Sequence, residues 1–583
     1  MLQVVPPRRP SRYRAACSGG GNDLYLAARI WACPAVGVIV AKQSIKDILL
    51  PDRSALSLLL LAFALFALIH PLIYLNTFSG DAEIHIVYAK NFLDGYPLQF
   101  NPGQPSSGQT SMGFMFIVIA LMKLFGYPAG ALGMKLIGLC SLYAIAVQTF
   151  RLARLTGLSP PWPLLAAIST LLFPGSVYNG MLGSENAFFG ALVLTWLLAA
   201  VGRGWLSPGR PPRVADDVLL ALLMGAMFWI RPETVPFGAF AWAVRGAGDI
   251  LAHRRLRPGL AFRALLFAAI AGTLALAYVL LFRHWAGMLP FGAGYARLFE
   301  SRDVDSLWLL GLAINIKVLT RLAVYASVVL PAGYALFVLA RRLQRPERWL
   351  PILLGCEFFG FMGLYIVNAI TALHFARYSI PEWPMGMVLA VHGLACLAGS
   401  ARGRLAVAAL IMAFLGAAAF ETHIRAGFPH HTLAHAMTDF DKRIGSREYL
   451  ARYGNPPMRP VVIAAQEVQL RSSLDNRFVI RSLDGILDAV YLNYLCHGYN
   501  DHDGYFIDQK VDFLEAPFSN YNHDRSRWSL KRLEGLAVGQ SVTRPGIRYT
   551  KIARGAVKVT RLVAHARDRT IQPCSIDSRS PYY

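Results

Sequence analysis

The sequence predicts a mostly α-helical, polytopic membrane protein with a small α/β domain at its C-terminal end. Three observations predict it. Hydrophobic residues make up 55% of the 583 and charged residues only 16%, where soluble domains hold about 45–50% apolar residues, and the mean hydropathy is +0.41. Apolar segments recur between residues 54 and 420, with the basic residues gathered in the short loops between them, as the positive-inside pattern requires. Beyond residue 421 the long apolar segments stop and short β-like runs separated by turn residues replace them. The net charge of +23 is therefore explained by loop arginines, and nucleic-acid binding is excluded as a reading.

Residues 1–53 read as a cytoplasmic tail, either disordered or upstream of the true start. Arg8, Arg9, Arg12 and Arg14 lead into glycines 19–21, and the apolar run 24–40 is interrupted by Arg29 and Pro34, which makes it a poor span. The membrane domain is expected over 54–421. Its first span, 54–75, follows Lys42, Lys46 and Arg53 and so starts in the cytoplasm. The polar loop 76–111 comes next. Within it Ile84, Tyr88 and Phe92 recur at helical spacing, predicting an amphipathic surface helix that starts near Asp81, with Asp81 at or near its N-cap. Segment 112–125 is apolar, but a crossing takes about twenty residues, so it is read as interfacial or re-entrant.

Spans then alternate over 131–152, 163–173, 186–201, 217–230, 235–244, 261–282, 318–340, 349–373, 383–397 and 405–420, with 308–316 interfacial. This order puts Arg151 and Arg154, Arg203, Arg210 and Arg213, Arg254 and Arg255, Arg341 and Arg342, and Arg402 and Arg404 on one side. It gives about eleven crossings, a cytoplasmic N-terminus and an extracytoplasmic C-terminal domain over 422–583. In that domain 461–465, 477–480 and 505–507 read as strands, and the tail after Arg567 as loose. Cys140, Cys356 and Cys396 fall in spans and read as small apolar residues. Cys496 and Cys574 pair in an oxidising compartment or stay free thiols.

Polar motifs stand at the span ends opposite the arginine-rich loops: Gly80-Asp81-Ala82-Glu83, Gly183-Ser184-Glu185-Asn186, Arg231-Pro232-Glu233, the stretch 290–297 with Arg297, and His374-Phe375-Ala376-Arg377-Tyr378. Charge beside lipid is costly and tends to be kept for function, so these motifs are expected to form one site on the extracytoplasmic face. The simplest alternatives are a helix cap for Asp81, a structural ion pair for Glu185, a headgroup anchor for Arg231 and an interface histidine for His374. Asp501-His502-Asp503, with His497 nearby, reads as an exposed polar loop rather than a divalent-ion site.

Gly80-Asp81-Ala82-Glu83-Ile84 with Tyr88-Ala89 and Asn91, then Phe100-Asn101-Pro102-Gly103, then Gly108-Gln109-Thr110-Ser111, resemble the first external loop of the GT-C superfamily of integral membrane glycosyltransferases. Within it the motifs are most similar to those of the terminal arabinofuranosyltransferases of the mycobacterial envelope, with D-D-A-x-I-x-x-x-Y-A-x-N, F-N-P-G and G-x-T-S. Gly183-Ser184-Glu185-Asn186 resembles the family's G-M-E-T, Arg231-Pro232-Glu233 its R-P-E, and Arg377-Tyr378-Ser379-Ile380-Pro381 its R-Y-x-x-P, all in family order. One departure stands out: Gly80 occupies the place of the family's first acid, and Glu83, two residues after Asp81, does not share its face on a helix.

The resemblance implies a GT-C-like membrane domain with a catalytic loop over 76–111. It implies transfer of a sugar from a polyprenyl-phosphate donor to a glycan or glycolipid acceptor outside the cytoplasm of a bacterial inner membrane, with inversion. A hydroxyl nucleophile needs its proton removed, so Asp81 is the expected general base, with Glu83 and Glu185 as further carboxylates of the catalytic set. The departing lipid phosphate needs cations, which Arg231, Arg377, His374 and Arg297 would supply. No cofactor is required, and a divalent metal is left open. The rival readings are a transporter or flippase for a glycolipid or polysaccharide precursor, and an assembly protein whose outer domain binds polysaccharide. The first is disfavoured by the lack of repeated halves and of charges at mid-span.

Overall fold

The computed structural model describes residues 54 and 56–64, 78–104, 106, 108–173, 180–206, 213–254, 258–287, 289–290, 316–340, 349–367 and 380–399, with single helical residues over 403–414, and then 460–465, 478–482, 502–515, 533, 535–553 and 556–563. The membrane region runs α1 (Gly80–Leu93), α2 (Met112–Phe125), α3 (Tyr127–Leu155), α4 (Trp162–Leu172), α5 (Asn186–Gly202), α6 (Val214–Ile230), α7 (Thr234–His253), α8 (Pro258–Ala286), α9 (Ile316–Ala340), α10 (Trp349–Val367) and α11 (Trp383–Leu397).

Among the described residues two helices are long and apolar enough to cross a bilayer, over Ala129–Leu155 in α3 and Gly259–Ala286 in α8. Only 17% of the α8 window is buried, and Phe262, Leu265, Leu276 and Leu280 stand exposed along it. A continuous apolar face of that kind suits hydrocarbon and would be a liability in water. The segment 112–125, read as interfacial or re-entrant, is the helix α2, 14 residues long, ended by Gly126 at φ 80°. The segment expected over 235–244 is longer than its apolar stretch suggests, because α7 continues to His253. The expected first span, 308–316 and the last span lie largely outside the described residues.

Glycines set the closest helix approaches. A Cβ on Gly393 of α11 would sit 2.1 Å from the Pro331 carbonyl oxygen of α9, so the two backbones meet there without side chains between them, as small residues allow in membrane bundles. At the end of α6 that bears its first turn, Asp217 is fully buried. It accepts from Trp205 Nε1 at 2.8 Å and pairs with Arg263, while Arg245 lies 3.6 Å away. Arg245 also stacks over Trp205 and Trp242, 4.4 and 5.0 Å from the ring centroids.

The C-terminal region contains a six-stranded mixed sheet of β1 (Val461–Ala465), β2 (Phe478–Ser482), β3 (Phe513–Glu515), β4 (Ser541–Arg544), β5 (Ile547–Ala553) and β6 (Ala556–Arg561), in the order β2-β1-β3-β6-β5-β4. β1 pairs in parallel with β2 and β3, and the remaining neighbours are antiparallel. Alternation along β1 divides two cores. Val461 and Ile463 join the membrane-domain core, while Val462 and Ala464 pack with Tyr505, Phe506 and Ile507. Residues 505–507 are not the expected strand. They lie in helix α12 (His502–Asp508), which covers the second sheet face; a short apolar run does not by itself distinguish the two conformations.

The polar cluster at 501–503 is absorbed in part by this packing, since Asp503 accepts from Arg544 Nε at 2.6 Å and from the Tyr549 hydroxyl. Cys140 and Cys356 are free. Cys396, expected as a plain apolar residue, is disulfide-bonded. Cys496 and Cys574 lie outside the described residues.

Candidate active site

The start of α1 is fixed by Ser79, whose Oγ accepts from the Ala82 N–H at 3.1 Å. Ser79 is therefore the N-cap and Asp81 sits in the first turn. Capping, the simplest structural role open to Asp81, is taken by another residue. The Ser79 N–H donates to the Leu182 carbonyl at 3.1 Å, so the head of α1 lies against the turn that leads into α5. Gly183 in that turn has φ +80°, and a Cβ there would come within 3.3 Å of the Phe78 ring and 3.5 Å of the Ala82 Cβ. Glycine is needed for the backbone conformation, and the approach leaves a side chain little room.

One turn further along α1, on the face that Asp81 shares, His85 reaches across this contact. Its Nε2 lies 3.0 Å from Glu185 Oε2 and its Nδ1 3.0 Å from Gln109 Oε1. Gln109 is oriented by its Nε2, which donates to the Ser111 carbonyl at 3.4 Å. Nε2 thus meets the Glu185 carboxylate and Nδ1 the Gln109 side-chain amide. The other Glu185 oxygen, Oε1, accepts from Arg231 Nη1 at 3.0 Å. Arg231 also donates to Asn186 Oδ1, and to Glu233 through Nε at 3.3 Å and Nη2 at 2.6 Å.

Glu185, His85 and Arg231 are 3%, 3% and 8% exposed. Burial alone would raise the Glu185 carboxyl, but the His85 hydrogen bond and the Arg231 charge outweigh it and hold it down at about 2. Glu382, the N-cap of α11, lies within electrostatic reach of Arg231 and Glu233. Burial first, and then the Glu233 charge, push its carboxyl up to about 8, and among the described residues its Oε2 has no hydrogen-bond partner.

Three of the seven expected site residues therefore gather at one end of α1, α5 and α6. Glu185 and Arg231 are in contact, and Asp81 lies in the first turn of the helix whose Ser79 bonds Leu182 and whose His85 bonds Glu185. Glu83 leaves on another face, about 200° around the helix from Asp81. Its charge, after burial, raises the Tyr127 hydroxyl at the head of α3. Arg297, His374 and Arg377 lie outside the described residues. Among the described residues no group of three or more His, Cys, Asp or Glu is disposed to hold a metal ion. Sequence reasoning missed His85, Gln109 as its partner, Glu233 as the second carboxylate on Arg231, and Glu382. Gln109 and Glu233 stood inside quoted motifs; His85 gave no signal beyond lying in the same helix as Asp81.

No protein-family model matches the chain, and no curated protein matches it in sequence. Solved structures do. ArnT from Cupriavidus metallidurans, bound to undecaprenyl phosphate, superposes with a TM-score of 0.51 at 12% identity over 88% of this chain and 99% of its own. The oligosaccharyltransferase of Archaeoglobus fulgidus, tethered with an acceptor peptide containing the NVT sequon, gives 0.51 at 11% identity over 80% of this chain and 70% of its own. The fold is shared with these two membrane proteins. At these identities the likeness concerns the fold and leaves the chemistry to the site residues.

Proposed function

We propose that this protein is a glycosyltransferase of the bacterial inner membrane. It would move a sugar from a polyprenyl-phosphate donor to a hydroxyl of an envelope glycan or glycolipid on the extracytoplasmic face. The observation that carries the reading is the His85–Glu185–Arg231–Glu233 line, buried except for the part-exposed Glu233, together with Asp81 in the first turn of the helix that bears His85, a carboxylate that the helix does not need for capping. The fold shared with ArnT, which was solved holding undecaprenyl phosphate, supports a polyprenyl-phosphate donor. The motif resemblance supports arabinofuranose as the sugar.

In this reading the acceptor oxygen attacks the anomeric carbon from the face opposite the phosphate. Its proton passes to an Asp81 oxygen as the anomeric C–O bond breaks, and the lipid phosphate leaves with the bonding pair, which inverts the centre. A positioned base of this kind contributes about 10²–10⁴-fold. Four hydrogen bonds engage the Arg231 guanidinium, which has five N–H groups. We therefore assign it to holding Glu185, and assign the lipid phosphate to Arg377, His374 and Arg297. Glu185, kept ionised by the His85 hydrogen bond and the Arg231 charge, is placed to orient His85 and to accept from a sugar or acceptor hydroxyl.

The test is incubation of the purified protein with a panel of radiolabelled polyprenyl-phosphate sugars and envelope acceptors. One sugar should transfer, and Asp81→Asn should lower that transfer at least about 100-fold while the protein stays folded. Full turnover by Asp81→Asn would remove Asp81 from the chemistry, and vesicle uptake of the lipid without transfer would favour a transporter.

A further inference from the structure

The loop between α1 and α2 is held from two sides. From the membrane side, Asn91 Nδ2 donates to the carbonyls of Gln99 and Phe100 at 3.0 and 2.7 Å, Tyr88 bonds Ser106, and His85 bonds Gln109. From the outer side it meets β2, the edge strand of the sheet. Asn101 Nδ2 donates to the Ile480 carbonyl at 2.9 Å, and the Ile480 N–H donates to Asn101 Oδ1 at 3.2 Å. This two-point pairing is what a neighbouring strand's peptide would offer, so one side-chain amide caps an edge that would otherwise be open.

Beside it Arg481 Nη1 donates to Gln104 Oε1 at 2.8 Å. Asn101 is 7% exposed and Ile480 1%. Ile480, Val461, Ile463 and Phe513 share one apolar core with α1 and α5. The chemistry proposed above uses none of these contacts.

We propose that Asn101 is a positioning residue and that the C-terminal sheet is a required half of the site: β2 sets where the loop lies over α1, and so where Gln109 meets His85. This rests on the glycosyltransferase reading only for its activity arm. A displacement of about 1 Å in a positioning element costs about 100-fold in rate, so a loop released from β2 should slow catalysis without touching the substrate.

The experiment uses the full chain in nanodiscs. Hydrogen exchange of the peptides covering 478–482 and 94–111 should accelerate together in Asn101→Ala, and an exposed sheet variant, Ser541→Ala, should change neither. Gln104→Lys, which sets like charge against Arg481, should do the same without altering Asn101, and Gln104→Lys with Arg481→Glu should restore protection. In the transfer assay Asn101→Ala should lower kcat about 10- to 100-fold with KM for the lipid donor unchanged. Faster exchange at 478–482 with 94–111 still protected, or unchanged kcat, would overturn the proposal. A wild-type protein that transfers no sugar would remove the glycosyltransferase reading and leave the exchange result to decide this one.

Discussion

Glu185 joins His85 and Arg231 where little of either is exposed, and replacing it should show how the buried network is balanced. The Glu185 and Arg231 side chains are 4% and 10% exposed, so solvent screening offers little relief. Glu185→Gln keeps the shape, removes the charge and turns an N–H₂ toward either His85 or Arg231, both donors. Two charge-assisted bonds at about 1.5–3 kcal/mol each suggest a loss near the 3–5 kcal/mol typical of breaking one side of a buried pair. Removing both should cost less than the two single losses together, because neither Glu185 nor Arg231 is then left facing the other's vacancy, and Glu233, which also loses Arg231, has a side chain 29% exposed to solvent. Glu185→Gln with Arg231→Met is therefore expected to be more stable than the sum of the single losses implies. Reversible denaturation in bicelles measures both, with the transfer assay run on the folded fraction. The double variant should fold and stay inactive if Glu185 serves the chemistry. A Glu185→Gln protein within about 1 kcal/mol of wild type, or a double variant no better than the sum of the singles, would refute the claim that the charges depend on each other.

Other substitutions probe separate parts of the structure. Glu382 has its folded carboxyl raised from 4.5 to about 8, so over that window the folded state holds a proton that the unfolded state has lost. Stability should fall as pH rises through it, by at most about 1.4 kcal/mol per unit, and Glu382→Gln should flatten that slope in denaturation series at several pH values. Asp217→Ala strips the buried partner from Arg263 and should cost about 3–5 kcal/mol. Its folded fraction should keep wild-type turnover, because α6 separates it from Arg231 by about 20 Å. Gly393→Ala drives a Cβ to 2.1 Å from the Pro331 carbonyl oxygen and should destabilise by at least about 1–3 kcal/mol, read from the thermal midpoint in detergent.

The motif stretches of the first loop show how far local pattern carries. Tyr88, Asn91 and Asn101 stood in the motifs without an assigned task, and the structure uses all three to strap the loop between α1 and β2. The helix over 112–125 and strand β1 match the segments read from the sequence, because each is set by its own apolar run and flanking turn residues. The 505–507 run does not, because its conformation is decided by the sheet face it covers.

The order of apolar segments, the arginine-rich loops and the polar motifs at the segment ends are one-dimensional properties, and residue chemistry and spacing alone determine them. Tertiary structure decided that Glu185 would find His85, 100 residues earlier, and Arg231, 46 residues later. It also decided that Ser79 rather than Asp81 would cap α1 and that Ile480 would close on Asn101. Those meetings depend on where separate helices and a distant strand come to rest against one another. A histidine on a helix face carries no mark of the carboxylate that packing will bring to it.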